Sequence, residues 1–173
     1  TTRAATKSFL ITNVILLVIA LGLGIGWAWI SGKRVAMTDM PQMVALYNGM
    51  GGGAAAAIAA TELLSGNALA HGPVVTVLAI LGGLIGAVAL SGSLIAWAKL
   101  DGRMNKAWRL PKHQYVNAAL LCGALFIGAV VTVMAVVGAE ETPILLILVF
   151  FAVALALGVL LTTPIGGADM PVV

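Results

Sequence analysis

Five long apolar runs constrain this chain more than anything else in it. They cover residues 8–30, 42–64, 74–98, 115–138 and 143–163. Each is close to the roughly 20 residues that an α-helix needs to cross a bilayer. Inside lipid every backbone N–H and C=O must be satisfied within the segment itself, which a helix does and an isolated extended strand does not. The predicted fold class is therefore all-α: a membrane protein built as a bundle of about five transmembrane helices. Composition points the same way. Of 173 residues 61% are hydrophobic and 9% are charged, with a mean hydropathy of +1.11, whereas soluble domains carry about 25% charged residues. The first run is too long for a secretory leader and no small-residue cleavage site follows it. The connections are short, so consecutive helices are expected to be antiparallel neighbours.

Orientation follows from lysine and arginine, which accumulate on the cytoplasmic side of membrane proteins. Lys33 and Arg34 follow the first run, and Lys99, Arg103, Lys106, Arg109 and Lys112 follow the third. The connections 65–73 and 139–142 carry no basic residue, and the second holds Glu140 and Glu141. Seven of the nine basic residues thus share one side, assigned to the cytoplasm, with Arg3 and Lys7 opposite. Trp27, Trp29, Trp97 and Trp108 all fall at the same interface. A net charge of +3 is too small to argue for nucleic acid. The one cysteine, Cys122, excludes a disulfide within the chain and reads as a small packing residue.

Polar residues inside apolar runs are costly and mark functional positions by default. Residues 38–49, Thr-Asp-Met-Pro-Gln-Met-Val-Ala-Leu-Tyr-Asn-Gly, put a charged, proline-started helix entrance at the membrane face and then carry Asn48, beside Tyr47, into the span. Asn48 is followed by Gly49, Gly51, Gly52 and Gly53. The spacing Gly49-xxx-Gly53 lets helices approach closely; it fits a tightly packed inner helix, with or without Asn48 facing a narrow polar route. The third run carries Gly82, Gly83, Gly86, then Ser91-Gly92-Ser93. Ser91 is expected to bond its own backbone. Ser93 and Asn48 both lie within about 10 Å of the cytoplasmic face by helical rise. Gly22-xxx-Gly26 in the first run reads as packing. Asp39 and Asp169 each precede a proline by two residues, in two copies of Asp-Met-Pro. A carboxylate there caps a helix and meets the positive end of its dipole, or holds a docking soluble partner. Glu62 lies near the opposite face, at a solvated helix end or the mouth of a polar path. His71 and His113 are both placed in connections, outside the spans. No metal cluster, nucleophile–base pair or nucleotide fingerprint stands out, so neither a cofactor nor a catalytic residue is expected in this chain. The second Asp-Met-Pro, at residues 169–171, reads as the start of another helix. The expectation is a single transmembrane domain over residues 1–173 belonging to a longer polypeptide and a larger bundle.

Three motifs in order resemble a known family. They are Met-Thr-Asp-Met-Pro-Gln-Met-Val-Ala-Leu-Tyr-Asn-Gly-Met-Gly-Gly-Gly at 37–53, Ser-Gly-Ser-Leu-Ile-Ala-Trp-Ala-Lys-Leu at 91–100, and Pro-Ile-Gly-Gly-Ala-Asp-Met-Pro-Val-Val at 164–173. They resemble the membrane domain of the β subunit of proton-translocating nicotinamide nucleotide transhydrogenase. The resemblance runs from about Lys33 to Val173, and the first span matches only in character. It implies coupling of proton movement to hydride transfer between NADH and NADP⁺. The NAD(H) and NADP(H) sites would lie in soluble domains outside this chain, with an α subunit, membrane lipid and a homodimer of the complex as partners. The implied location is the bacterial inner membrane, with the nucleotide-facing loops in the cytoplasm. Carried over by position, Asn48 stands where many members have the histidine proposed to take and release the proton. An amide orients water but does not titrate, so the resemblance then implies a proton-binding group elsewhere, such as a histidine on a partner helix. Ser93 matches a serine of the same polar path, with Tyr47 beside it. Asp169 matches an aspartate at the membrane face linked to the NADP(H) domain, and Asp39 is its counterpart in the first copy. Two other readings stay open: a small-solute transporter with a glycine-rich core, and a structural subunit that conducts nothing.

Overall fold

The computed structural model describes residues 2–104, 112–138 and 143–165, with side chains from residue 8 onward. Regular structure among these residues is helical: α1 (Thr2–Arg34), α2 (Met40–Leu64), α3 (Asn67–Ala70), α4 (Pro73–Leu100), α5 (His113–Val136) and α6 (Ile144–Thr162), with a 3-10 turn at Met37–Asp39 leading into α2. All but the short α3 are long and apolar enough to cross a membrane. This is the all-α membrane class that the apolar runs predict. The chain forms two compact units, Thr1–Met40 and Pro41–Val173.

The first unit is α1 and the 3-10 turn. The polar side chains in α1 return to their own helix: Thr12 Oγ1 donates to Ser8 O at 2.9 Å, and Asn13 Nδ2 to Phe9 O at 2.9 Å. Such back-bonding lets a short polar side chain sit in lipid without a second helix. The helix runs past residue 30 because Lys33 and Arg34 suit the negative end of its dipole. Lys33 Nζ also lies 4.4 Å from the Trp29 ring one turn back. Asp39 closes the 3-10 turn with its N–H bonded to Ala36 O at 2.9 Å. Its carboxylate accepts from the adjacent Thr38 hydroxyl at 3.3 Å. The 3-10 turn starts the winding three residues ahead of α2, so Asp39 sits inside it, with its charge in the first turn at the positive end of the dipole.

In the second unit α4 touches every other long helix, and glycine sets each approach. On the α2 side a Cβ on Gly86 would stand 2.6 Å from Gly52 O and 2.7 Å from Ala56 N. On the α6 side a Cβ on Gly158 would stand 2.5 Å from Val88 O, and on the α5 side one on Gly128 would stand 2.6 Å from Ile80 Cγ2. Apolar side chains gain nothing by leaving lipid for each other, so close backbone approach supplies the van der Waals contact that holds such helices together. The paired positions fall in opposite chain order for α2 and α4 and in the same order for α4 and α6, as alternating helices require. The densest packing, among α4, α5 and α6, buries Leu84, Ala87, Ala124, Val131, Ile147, Phe150 and Ala154. Cys122 does not join it and is exposed on α5.

The connection after α2 has structure of its own. Gly66 takes φ 74°, a left-handed turn that glycine adopts without strain. The chain then forms α3, which buries Ala68 and Leu69. Thr76, fully buried in the first turn of α4, donates to Ala68 O at 2.8 Å and Gly72 O at 3.1 Å. Three apolar residues, Ala68, Leu69 and Ala70, flanked by turn formers were too short a pattern to announce this helix in the sequence.

Candidate functional site

Two of the residues expected on a polar path, Asn48 and Ser93, lie on α2 and α4. Asn48 Nδ2 donates to Ser93 Oγ at 2.9 Å. The contact forms because Gly49, the next residue on α2, has no side chain: a Cβ there would be 3.0 Å from Ser93 Cβ. Ser93 is 8% exposed, while Asn48 keeps an open face. Ser91, Thr132, Thr162 and Thr163 all donate to the carbonyl four residues back on their own helices. Ser93 instead accepts from another helix, and a hydroxyl that accepts in this way keeps its own O–H to donate onward. Beside it runs a groove of about 260 Å³ lined by Val88, Ala89, Gly92, Ser93, Ala96, Gly158, Leu161 and Thr162. Its walls are apolar apart from the Ser93 and Thr162 hydroxyls, and Thr162 already bonds Gly158 O on its own helix, so Ser93 is the group there that holds water.

Asn48 and Ser93, both expected on one polar path, are therefore together in space. Tyr47 is half-buried on α2, roughly 100° round the helix from Asn48. Asp39 is exposed and belongs to the first unit. Asp169 lies outside the described residues, as do Lys106, Arg109, Trp108, Glu140 and Glu141. Gln42, in the first turn of α2, adds a second tie between the same helices through Nε2 to Leu100 O at 3.1 Å.

Two residues assigned to connections belong to helices. Lys99 is in the last turn of α4 and is 5% exposed. Its Nζ donates to Thr162 O at 2.7 Å, Thr163 O at 2.5 Å and Ile165 O at 2.7 Å. Carbonyls at a helix C-terminus lack intrahelical donors and carry the negative end of the dipole. The sequence did hold a clue, since Lys99 lies seven residues after Gly92 and so on the same helix face, which packs on α6. His113 begins α5 and is half-buried. Asn117 Nδ2 lies 3.3 Å from His113 Nε2. His113 Nδ1 and Asn117 Oδ1 are buried without a partner among the described residues. The spans thus do contain an imidazole, contrary to the reading that placed both histidines outside them. Hydropathy alone dropped it because polar His113 and Gln114 precede the apolar run. Asn117 also lines a cavity of about 470 Å³ between α4, α5 and α6 that is otherwise apolar, with Leu84, Ile85, Val88, Leu121 and Leu157 among its walls.

A helical bundle of membrane-spanning length, with an asparagine–serine bond between two helices near one membrane face, defines an integral membrane protein with a polar interior contact. More particularly, the chain belongs to the NAD(P) transhydrogenase beta subunit family, whose model matches residues 1–173. Among its relatives is the NAD(P) transhydrogenase subunit beta of Rhodospirillum rubrum, 37% identical over 166 residues, 92% of this chain and 34% of the relative. The chain thus spans about a third of the length of the curated relatives it matches. The match includes α1, which resembled the family only in character when motifs were compared.

Proposed function

We propose that this chain is the membrane-spanning domain of a longer transhydrogenase β subunit and couples proton movement to hydride transfer. In that reaction NADH gives a hydride to NADP⁺, forming NAD⁺ and NADPH, in NAD(H)- and NADP(H)-binding domains outside this chain. The observation that carries the reading is the 2.9 Å bond from Asn48 to Ser93. It supplies a hydroxyl that receives a hydrogen bond from one helix and is free to donate toward the groove beside it. Water bound at the Ser93 hydroxyl continues a hydrogen-bonded path, and each charge crossing the membrane supplies about 2.3 kcal/mol per 100 mV. Neither Asn48 nor Ser93 titrates near neutral pH, so both orient water, and the group that binds the proton stands elsewhere on the route. Tyr47 flanks the path.

Asp39, Asp169 and the basic connection after α4 face the nucleotide-binding domains on the cytoplasmic side of a bacterial inner membrane. The α subunit contributes further helices, membrane lipid surrounds the remainder, and the complex works as a homodimer. The test is proton uptake by the intact complex in sealed liposomes, read with a pH-sensitive dye while both nucleotides are supplied. Coupled uptake that an uncoupler abolishes, and that Ser93→Ala reduces, is the expected result. Hydride transfer with no proton movement would overturn the coupling role. Full flux in Ser93→Ala would remove Ser93 from the path.

A further inference from the structure

Among the described residues of the second unit, Lys99 makes three side-chain hydrogen bonds to one helix end. An ammonium has three N–H donors, and all three are met by the carbonyls of Thr162, Thr163 and Ile165. It therefore holds no proton free for a relay. An ammonium buried without partners is costly, so the contact is either fully made or replaced by another complete set. The positive charge also sits where the dipole of α6 is most negative.

The clasp lies between the two parts that coupling must connect. Along α4, Lys99 is six residues beyond Ser93, a rise of about 9 Å on one rigid helix. Gly92 and Lys99 face α6, while Ser93, next round the helix, faces Asn48 on α2. In sequence only Gly166, Gly167 and Ala168 separate the last clasped residue, Ile165, from Asp169. At the same end Gln42 ties α2 to Leu100, the residue after Lys99.

We propose that Lys99 is a positioning residue: by clasping the C-terminal end of α6 to α4, it transmits changes at the Asn48–Ser93 contact to that end of α6. This rests on the coupling role proposed above. The test uses the intact complex in sealed liposomes and compares hydride transfer under a proton gradient with the rate after an uncoupler, per assembled complex. Lys99→Met keeps the apolar stem and removes every donor. It is expected to lower that ratio about threefold to thirtyfold, the range for residues that carry coupling between sites. Lys99→Arg keeps the charge but replaces three convergent donors with a planar fork, and is expected to restore part of the ratio. A merely structural lysine would reduce the amount of assembled complex and leave the ratio per complex intact, which would overturn the proposal. Failure of both variants to assemble would also overturn it, since Lys99 would then serve folding alone. If the parent complex shows no gradient response, or Ser93→Ala leaves it unchanged, the coupling reading or its Ser93 path fails instead.

Discussion

Gly86 of α4 and Gly52 of α2 meet backbone to backbone, so that a methyl group on Gly86 would lie 2.6 Å from the Gly52 carbonyl oxygen. This crossing sets the separation of the two helices, and the Asn48–Ser93 bond two turns away depends on it. Gly86→Ala should force the helices apart, because the atoms it meets belong to backbone and not to a flexible tip. The expected cost is about 1–3 kcal/mol, the usual range for overpacking. Gly51 has open space around the equivalent position, and Gly51→Ala should stabilise α2 by up to about 1 kcal/mol. Thermal unfolding of the purified chain in detergent distinguishes the two.

Ser93 and Ser91 offer a second comparison on one helix. Ser91 bonds Ala87 O on its own helix at 3.0 Å, while Ser93 receives the Asn48 amide. Ser93→Ala should cost about 0.6 kcal/mol and at most about 1.7, the average and maximum for bonds between membrane helices, and should lower proton flux in the parent complex. Ser91→Ala should leave flux close to that of the unaltered protein. Equal flux losses in both would show that the helix, and not the Ser93 hydroxyl, is what flux senses.

Asn48→His is expected to give the path a titrating group. Asn48 keeps an exposed face, so an imidazole is accommodated without displacing Gly49 from Ser93. Proton flux in the variant should acquire a dependence on pH between about 5 and 8, the window in which histidine changes charge. Parallel flux–pH profiles for the variant and its parent would argue that position 48 does not contact the moving proton.

Lys112 precedes α5 with φ 61°, the one left-handed non-glycine residue among those described. A side chain in that region costs about 1–2 kcal/mol. Lys112→Gly should therefore raise stability by about 1 kcal/mol, visible as a higher unfolding midpoint in detergent. An unchanged or lower midpoint would mean that the lysine side chain compensates the strain.

The spans were legible because the rule behind them is one-dimensional: about 20 apolar residues satisfy a bilayer wherever they occur. That Asn48 and Ser93 stand at matching heights was legible too, since helical rise converts residue number into distance along each helix. The pairing between them was not, because depth says nothing about which way a helix is turned. Gly49-xxx-Gly53 pointed to the right helix, yet the tightest approach is made by Gly52, with Gly53 meeting only the flexible tip of Leu90. Three neighbouring glycines offer several faces, and the partner's Gly86 selects one.

Hydropathy and charge along the chain determined that these residues form membrane-length helices and which ends share a face, because transfer into lipid depends on each segment's own composition. The contacts of Lys99 were decided by the tertiary structure. By composition it is one more basic residue at a membrane boundary. It becomes a buried clasp only because α4 and α6 run side by side in the same direction, through Gly92 and Gly158, and bring three carbonyls within reach of one ammonium.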